Sequence, residues 1–221
     1  MSSIKAYLGR LSFLYKIHNF LFNGFWKKGL KVEMSGENIL LSGIRVRQNG
    51  KNNRLYIGNG VRLKNCRFCI SGDNNVIYIG DNCSLRGTNF YFEDSNNEIY
   101  LGAGTTTTDK VDICVIEGTK VHIGEDCMIS SDIYMATGDG HSVCNFDCTH
   151  RTNVSKDIVI GNHVWIGTRV IIGKGVKIGD NSIVAAGSVC NASINAKNNT
   201  IIGGNPATTV KKDINWVRER I

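Results

Sequence analysis

The chain of 221 residues has room for one or two compact domains or a single elongated one, and its 42% hydrophobic, 20% charged and 8% aromatic content excludes a disordered chain. A net charge of +7 would suggest a nucleic-acid partner if it were spread evenly, and it is not. Residues 1–32 hold six cations (Lys5, Arg10, Lys16, Lys27, Lys28, Lys31) and no acid, whereas residues 71–157 hold five cations against fourteen carboxylates, so no nucleic-acid partner is expected.

The first segment, residues 4–22, reads as helical. Its longest uncharged run, Ile17 to Trp26, is ten residues, far short of the roughly 20 that a membrane-spanning helix needs. Lys5 and Arg10 interrupt its apolar residues and no small-residue cleavage site follows, so we read no leader there, and the eight cysteines are expected to be reduced thiols of a cytoplasmic protein. The segment is expected to cap the open edge of the fold that follows it. The alternative is peripheral contact between residues 1–30 and an anionic membrane at its inner face.

Beyond it the sequence repeats. An aliphatic residue followed by Gly recurs at Ile57-Gly58, Ile79-Gly80, Leu101-Gly102 and Ile123-Gly124, a period of 22, and then at Ile160-Gly161, Ile166-Gly167, Ile172-Gly173 and Ile178-Gly179, a period of six. Six residues fit neither a helical turn nor a continuous strand, but they fit a short strand with a corner. At each corner the aliphatic side chain points inward, and the Gly is expected to adopt a conformation that a Cβ would penalise. Stacked coils of this kind bury a continuous column of Ile and Val, so the expected fold is an all-β parallel solenoid. Because 22 is four more than three sixes, the earlier coils are expected to bulge at one corner, at residues 50–53, 72–75 and 94–97, where Asn and Asp tolerate left-handed backbone. A right-handed parallel β-helix is the alternative, and strict six-residue spacing argues against it. Two stretches break the repeat, residues 138–157 and 191–200, and the tail from Ile214 to Arg220 permits a short helix.

The run Thr137-Gly138-Asp139-Gly140-His141-Ser142, the repeat Ile160-Gly161-Asn162-His163-Val164-Trp165-Ile166-Gly167, the run from Ile178 to Ser188 and Gly204-Asn205-Pro206-Ala207 resemble the hexapeptide-repeat acetyltransferases. The similarity runs from about residue 90 to the C-terminus, nearest the polysaccharide and lipopolysaccharide O-acetyltransferase branch. It implies a left-handed parallel β-helix, acetyl-CoA as co-substrate, a glycan or sugar acceptor, and a homotrimer with active sites between subunits. Residues 1–45 carry no such match and are expected to be a helical capping segment, with 46–210 as the β-helix with an extended loop at 138–157 and 211–221 as a tail; no metal is expected, since the cysteines and histidines lack the spacing of a zinc site.

Moving an acetyl group to a hydroxyl requires a base within reach of the hydroxyl proton, and His141, where the coil gives way to the loop, is expected to be that base. His18, His122, His150 and His163 read as structural or solvent-facing. By the resemblance, Trp165 walls the catalytic site, and Gly167, Thr168, Ala185 and Ala186 offer small residues and backbone to the pantetheine chain. Pro206 and Lys211 match positions at the adenine end. Thr208 stands where relatives carry a cation. The oxyanion donor is expected near Ser142 or Gly167. Asp112 and Ser142 are the acceptor-binding candidates, with Asp112, Asp132 and Asp139 also readable as surface carboxylates. Cys66-x-x-Cys69 and Cys144-x-x-x-Cys148 lack a second pair at zinc spacing, and Cys83 and Cys127 read as small core fillers. Amino-sugar N-acetylation, a zinc hydratase of the γ-carbonic anhydrase type and a non-catalytic scaffold are the competing functions.

Overall fold

A computed structural model describes residues 30–221. Within them the chain forms 24 strands and no helix, from β1 (Lys31–Met34) to β24 (Ala207–Lys211). Every third strand lies in the same sheet, so three sheets of eight, nine and seven strands form the faces of a three-sided coil about eight turns long. All neighbours pair in parallel except the last, where β24 folds back antiparallel on β23 (Ile201–Gly204).

The repeat explains the core. The aliphatic residues before each Gly stand in register up the first sheet, Ile57, Ile79, Leu101, Ile123, Ile160 and Ile178, and all are buried. Their side chains meet those of the other two sheets, where Phe68 and Phe90 stack with ring centroids 4.8 Å apart. Cys66, Cys83 and Cys127 fill the same interior, and burial pushes each thiol up to about 11.

The extra residues of the early coils sit at the corner between the third and first sheets. There Asn52, Asn74 and Asn96 adopt left-handed backbone, with φ of 57°, 58° and 66°. The next residue of each coil points inward and builds a buried polar ladder. The Asn75 N–H donates to Asn53 Oδ1 (2.8 Å), the Asn97 N–H to Asn75 Oδ1 (2.9 Å), and the Thr119 N–H to Asn97 Oδ1 (3.1 Å). Thr119 Oγ1 then donates to Thr137 Oγ1 at 2.6 Å. A wide corner has more backbone than a six-residue repeat can pair, and this ladder satisfies it.

The repeat glycines have a different reason from the one expected. Those following the aliphatic residue are absent from the left-handed region, which is taken instead two residues later by Gly60, Asn82, Gly104, Asp126, His163 and Asn181. What forbids a side chain at the repeat Gly is the adjacent coil: a Cβ on Gly102 would lie 2.5 Å from the carbonyl carbon of Gly124.

Two expectations change. The ladder begins at Lys31, not near residue 46, since β1 pairs with the strand Arg54–Ile57. At the other end, the Ile214–Arg220 segment is irregular rather than helical and lies across the second sheet. There Trp216 is buried, stacks on His163 at 4.1 Å and donates its Nε1–H to the His163 carbonyl. Arg218 reaches Asp126 from the same tail. The helix expected at residues 4–22, and the cap or membrane contact assigned to residues 1–30, lie outside the described residues.

Candidate active site

The loop at 138–157 leaves the coil after β15 (Ile133–Ala136) and rejoins it at β16 (Ile158–Ile160), at the corner that carries the polar ladder. His141 and Ser142 are exposed on it. A groove of about 450 Å³ runs between the loop and the third sheet, lined by Glu93, Cys114, Tyr134, Asp139, Ile171 and Lys174 among others. Gly138, Asp139 and Gly140 form its wall directly before His141. The base expected from the sequence therefore directly follows the wall of a concavity, exposed on the same loop.

Ion pairs hold the loop down. Lys174, from the next coil, pairs with Asp139, and Lys174 together with Asn153 holds that carboxyl below its usual range. On the far limb Arg151 forms a two-pronged pair with Glu117, one prong at 3.1 Å, and Arg151 and Ser155 lower the Glu117 carboxyl to about 2. Within the groove, burial and Asp112 push the Cys114 thiol up to about 12, while burial, Cys114, Glu93 and Asp112 raise the Tyr134 phenol. Asp112, on the strand Val111–Val115, faces outward one strand below Tyr134 and accepts a hydrogen bond from Asn89 Nδ2 at 2.6 Å.

The donor-side candidates gather elsewhere. Gly167 and Thr168 follow the strand Trp165–Ile166, and Ala185 and Ala186 follow Ile183–Val184 one coil above, so the four stack at the corner between the second and third sheets. The Gly167 N–H donates to the Val184 carbonyl and the Ala185 N–H to the Ile202 carbonyl, both at 2.8 Å. Those two donors belong to the ladder, which leaves neither for a pantetheine amide nor, at Gly167, for an oxyanion. Pro206 is exposed in the turn between β23 and β24, and Lys211 is exposed at the end of β24. Trp165 lies on the second sheet, 37% exposed, with its ring 6.1 Å from that of Trp216.

One chain thus gathers Gly167, Thr168, Ala185 and Ala186, and sets Asp112 on the face beside the groove. It does not bring His141 and Trp165 together, since they occupy a corner and a face that no shared sheet connects. Two of the other histidines have structural surroundings: His163 bonds Asp126 and the Trp216 carbonyl, and His122 stacks on Tyr100 at 4.6 Å, while His150 is exposed in the loop and His18 lies outside the described residues. Among the described residues no three His, Cys, Asp or Glu side chains converge on a metal position. Sequence reasoning missed Lys174, Tyr134 and Asn153, none of which carries a spacing signal.

Residues 157–192 match the bacterial transferase hexapeptide (six repeats) family. That stretch carries the hexapeptide repeat of the family, and the left-handed parallel β-helix that the resemblance implies is the fold of the described residues. The chain's relatives include O-acetyltransferases of polysialic acid and of lipopolysaccharide biosynthesis. A polysialic acid O-acetyltransferase of Escherichia coli O1:K1 / APEC is 32% identical over 104 residues, 47% of this chain and 33% of that protein. The putative lipopolysaccharide biosynthesis O-acetyl transferase WbbJ of Escherichia coli (strain K12) is 35% identical over 112 residues, 47% of this chain and 55% of that protein. The chain therefore spans a third to about half of the length of these curated relatives. The crystal structure of the polySia specific acetyltransferase NeuO superposes with a TM-score of 0.68 at 29% identity, covering 86% of this chain and 83% of that one.

Proposed function

We propose that this protein is an acetyl-CoA-dependent O-acetyltransferase acting on a hydroxyl of a polysaccharide, lipopolysaccharide or sugar precursor, with His141 as general base and direct transfer. The observation that carries the reading is a histidine on a loop pinned by ion pairs, directly after the residues that wall a groove, in a chain whose relatives include O-acetyltransferases of glycans.

In this reading the acceptor sugar lies in the groove under the loop, with Asp112 and Ser142 as its polar contacts. A neutral ring nitrogen of His141 takes the hydroxyl proton as the oxygen attacks the thioester carbonyl. The C–O bond forms, the C–S bond breaks, and His141 hands the proton to the departing thiolate. The donor lies along the corner formed by Gly167, Thr168, Ala185 and Ala186, with Pro206 and Lys211 toward its nucleotide end, where a cation suits a phosphate. The separation of His141 from Trp165 within one chain supports a homotrimer, in which a neighbouring copy brings its second sheet and Trp165 to the loop of the first.

Thiol release from acetyl-CoA, with neutral methyl glycosides and sialic acid oligomers as acceptors, tests this. His141→Ala should lower turnover by about two to four orders of magnitude with the fold intact. Mixed assemblies of His141→Ala and Trp165→Ala chains should regain activity, because some of their sites contain both native residues. A His141→Ala chain with more than a third of the native rate removes His141 from its role. Failure of the two variants to complement, when each is inactive alone, removes the shared site.

A further inference from the structure

We propose that Asn153 is the positioning residue that fixes His141 beside the wall of the groove; the inference rests on the reading of His141 as the base. Among the described residues, the one hydrogen bond His141 makes is through its main chain, where its carbonyl accepts from Asn153 Nδ2 at 2.8 Å. Its ring bonds no other described residue. Where the ring stands therefore depends on where this stretch of backbone is held.

The Asn153 amide is fully engaged. Nδ2 also donates to Asp139 Oδ2 at 2.7 Å, and Oδ1 accepts from the Val143 N–H at 2.7 Å and from Arg151 Nε at 3.0 Å. Two donors and two acceptor positions are the whole capacity of a carboxamide, and here both are used. The four partners come from both limbs of the loop, so one half-buried side chain ties residues 139, 141 and 143 to residue 151.

The ties continue into the coils. Lys174 Nζ donates to the Asn153 carbonyl at 3.0 Å while pairing with Asp139, and Arg151 donates to Asn153 Oδ1 while pairing with Glu117. Asn153 thus joins the two anchored points to the backbone of His141. No other side chain of similar size replaces it. Aspartate offers no donors and would set a second carboxylate against Asp139, and alanine removes all four bonds.

The experiment uses the full chain with Asn153→Ala and Asn153→Asp. It measures steady-state kinetics of thiol release with the best acceptor of the panel above, or with water if hydrolysis alone is seen, together with hydrogen exchange at the Val143 amide. A displacement of about 1 Å costs a reaction up to roughly a hundredfold. Asn153→Ala should therefore lower kcat about ten- to a hundredfold, leave the KM for acetyl-CoA unchanged, and abolish protection at Val143 without moving Tm. Asn153→Asp should keep the Val143 bond and its protection yet lose kcat, because both donors are gone.

Native kcat in Asn153→Ala overturns the proposal. So does a kcat loss accompanied by an equal rise in KM and a fall in Tm, which marks a general structural role. A fully active His141→Ala chain overturns the reading of the base itself, a result separable from either of these.

Discussion

The first four coils and the last three are built on the same repeat and differ at one corner. In the early coils the corner between the third and first sheets carries extra residues and is filled by the buried ladder of Asn53, Asn75, Asn97 and Thr119. In the late coils the same corner shrinks to a tight turn, as between the strands Ile171–Ile172 and Lys177–Ile178. The loop bearing His141 leaves the coil where one form gives way to the other, one residue after Thr137, which ends the ladder. One corner of the prism therefore absorbs length. Four turns use this allowance for a structural filler, and the fifth extends it into the loop that walls the groove.

The largest effect should come from the feature both regions share, close stacking of backbone at the repeat Gly. Gly102→Ala forces a Cβ to 2.5 Å from backbone of the next coil, which neither strand can yield. We expect a loss of about 3 kcal/mol, at the upper end of overpacking costs. Two residues on, Gly104 has a φ of 72° and no atom nearer than 3.8 Å to an added Cβ. Gly104→Ala should cost only about 1 kcal/mol, the penalty of left-handed backbone. Gly104→Asn should be nearly neutral, because Asn82 and Asn181 hold that corner position in other coils. Urea unfolding of the three variants checks the order; equal losses for Gly102→Ala and Gly104→Ala would show that the close approach at Gly102 costs no more than left-handed backbone does at Gly104.

That pair also marks how far the sequence could be read. One buried aliphatic per side forces the repeat, so the solenoid, its two periods and the bulged corner were legible from spacing alone. The role of the repeat Gly was not, because a positive φ and a close neighbour leave the same letter. The first coil escaped because Met34 stands opposite Ile57, a step of 23 that breaks the period. Of the candidate site, the loop that carries His141 was legible as an interruption of a regular pattern. Asn153, Lys174 and the Trp216 strap were not: their partners lie at sequence distances set by the folded loop and tail, which no periodicity records.

A middle-sized effect should separate the two regions. Asn75 Oδ1 accepts from the Asn97 N–H and Nδ2, and its own Nδ2 donates to the Ser71 carbonyl, all in the buried corner. Asn75→Ala leaves the Asn97 N–H without a partner and should cost about 2 kcal/mol. Asn195→Ala, at an exposed position of a late coil, should fall within about 0.5 kcal/mol of the native chain. Comparable losses at the two sites, read from chemical unfolding, would mean that the ladder contributes nothing beyond an ordinary surface amide.

The smallest effect is local and concerns the junction between the regions. Glu117, in the last wide corner, holds the far limb of the loop through Arg151. Its carboxyl lies at about 2 in the folded chain, below its ordinary value of 4.5, so the charged form is the one the fold favours. The tie is then fully present above the ordinary value and is lost as pH falls through about 2. Asp139, lowered in the same direction by Lys174 and Asn153, loses its tie in the same sense. At pH 4 the loop should resist pepsin, and toward pH 2 cleavage should appear within residues 138–157 before it appears in the coils. Glu117→Gln should bring that cleavage up to pH 4 without altering the coils, since the carboxylate sits at the surface and braces only the loop. If the variant loop resists pepsin at pH 4 as well as the native one does, the Arg151 pair is incidental, and the ties through Asp139 and Lys174 hold the loop alone.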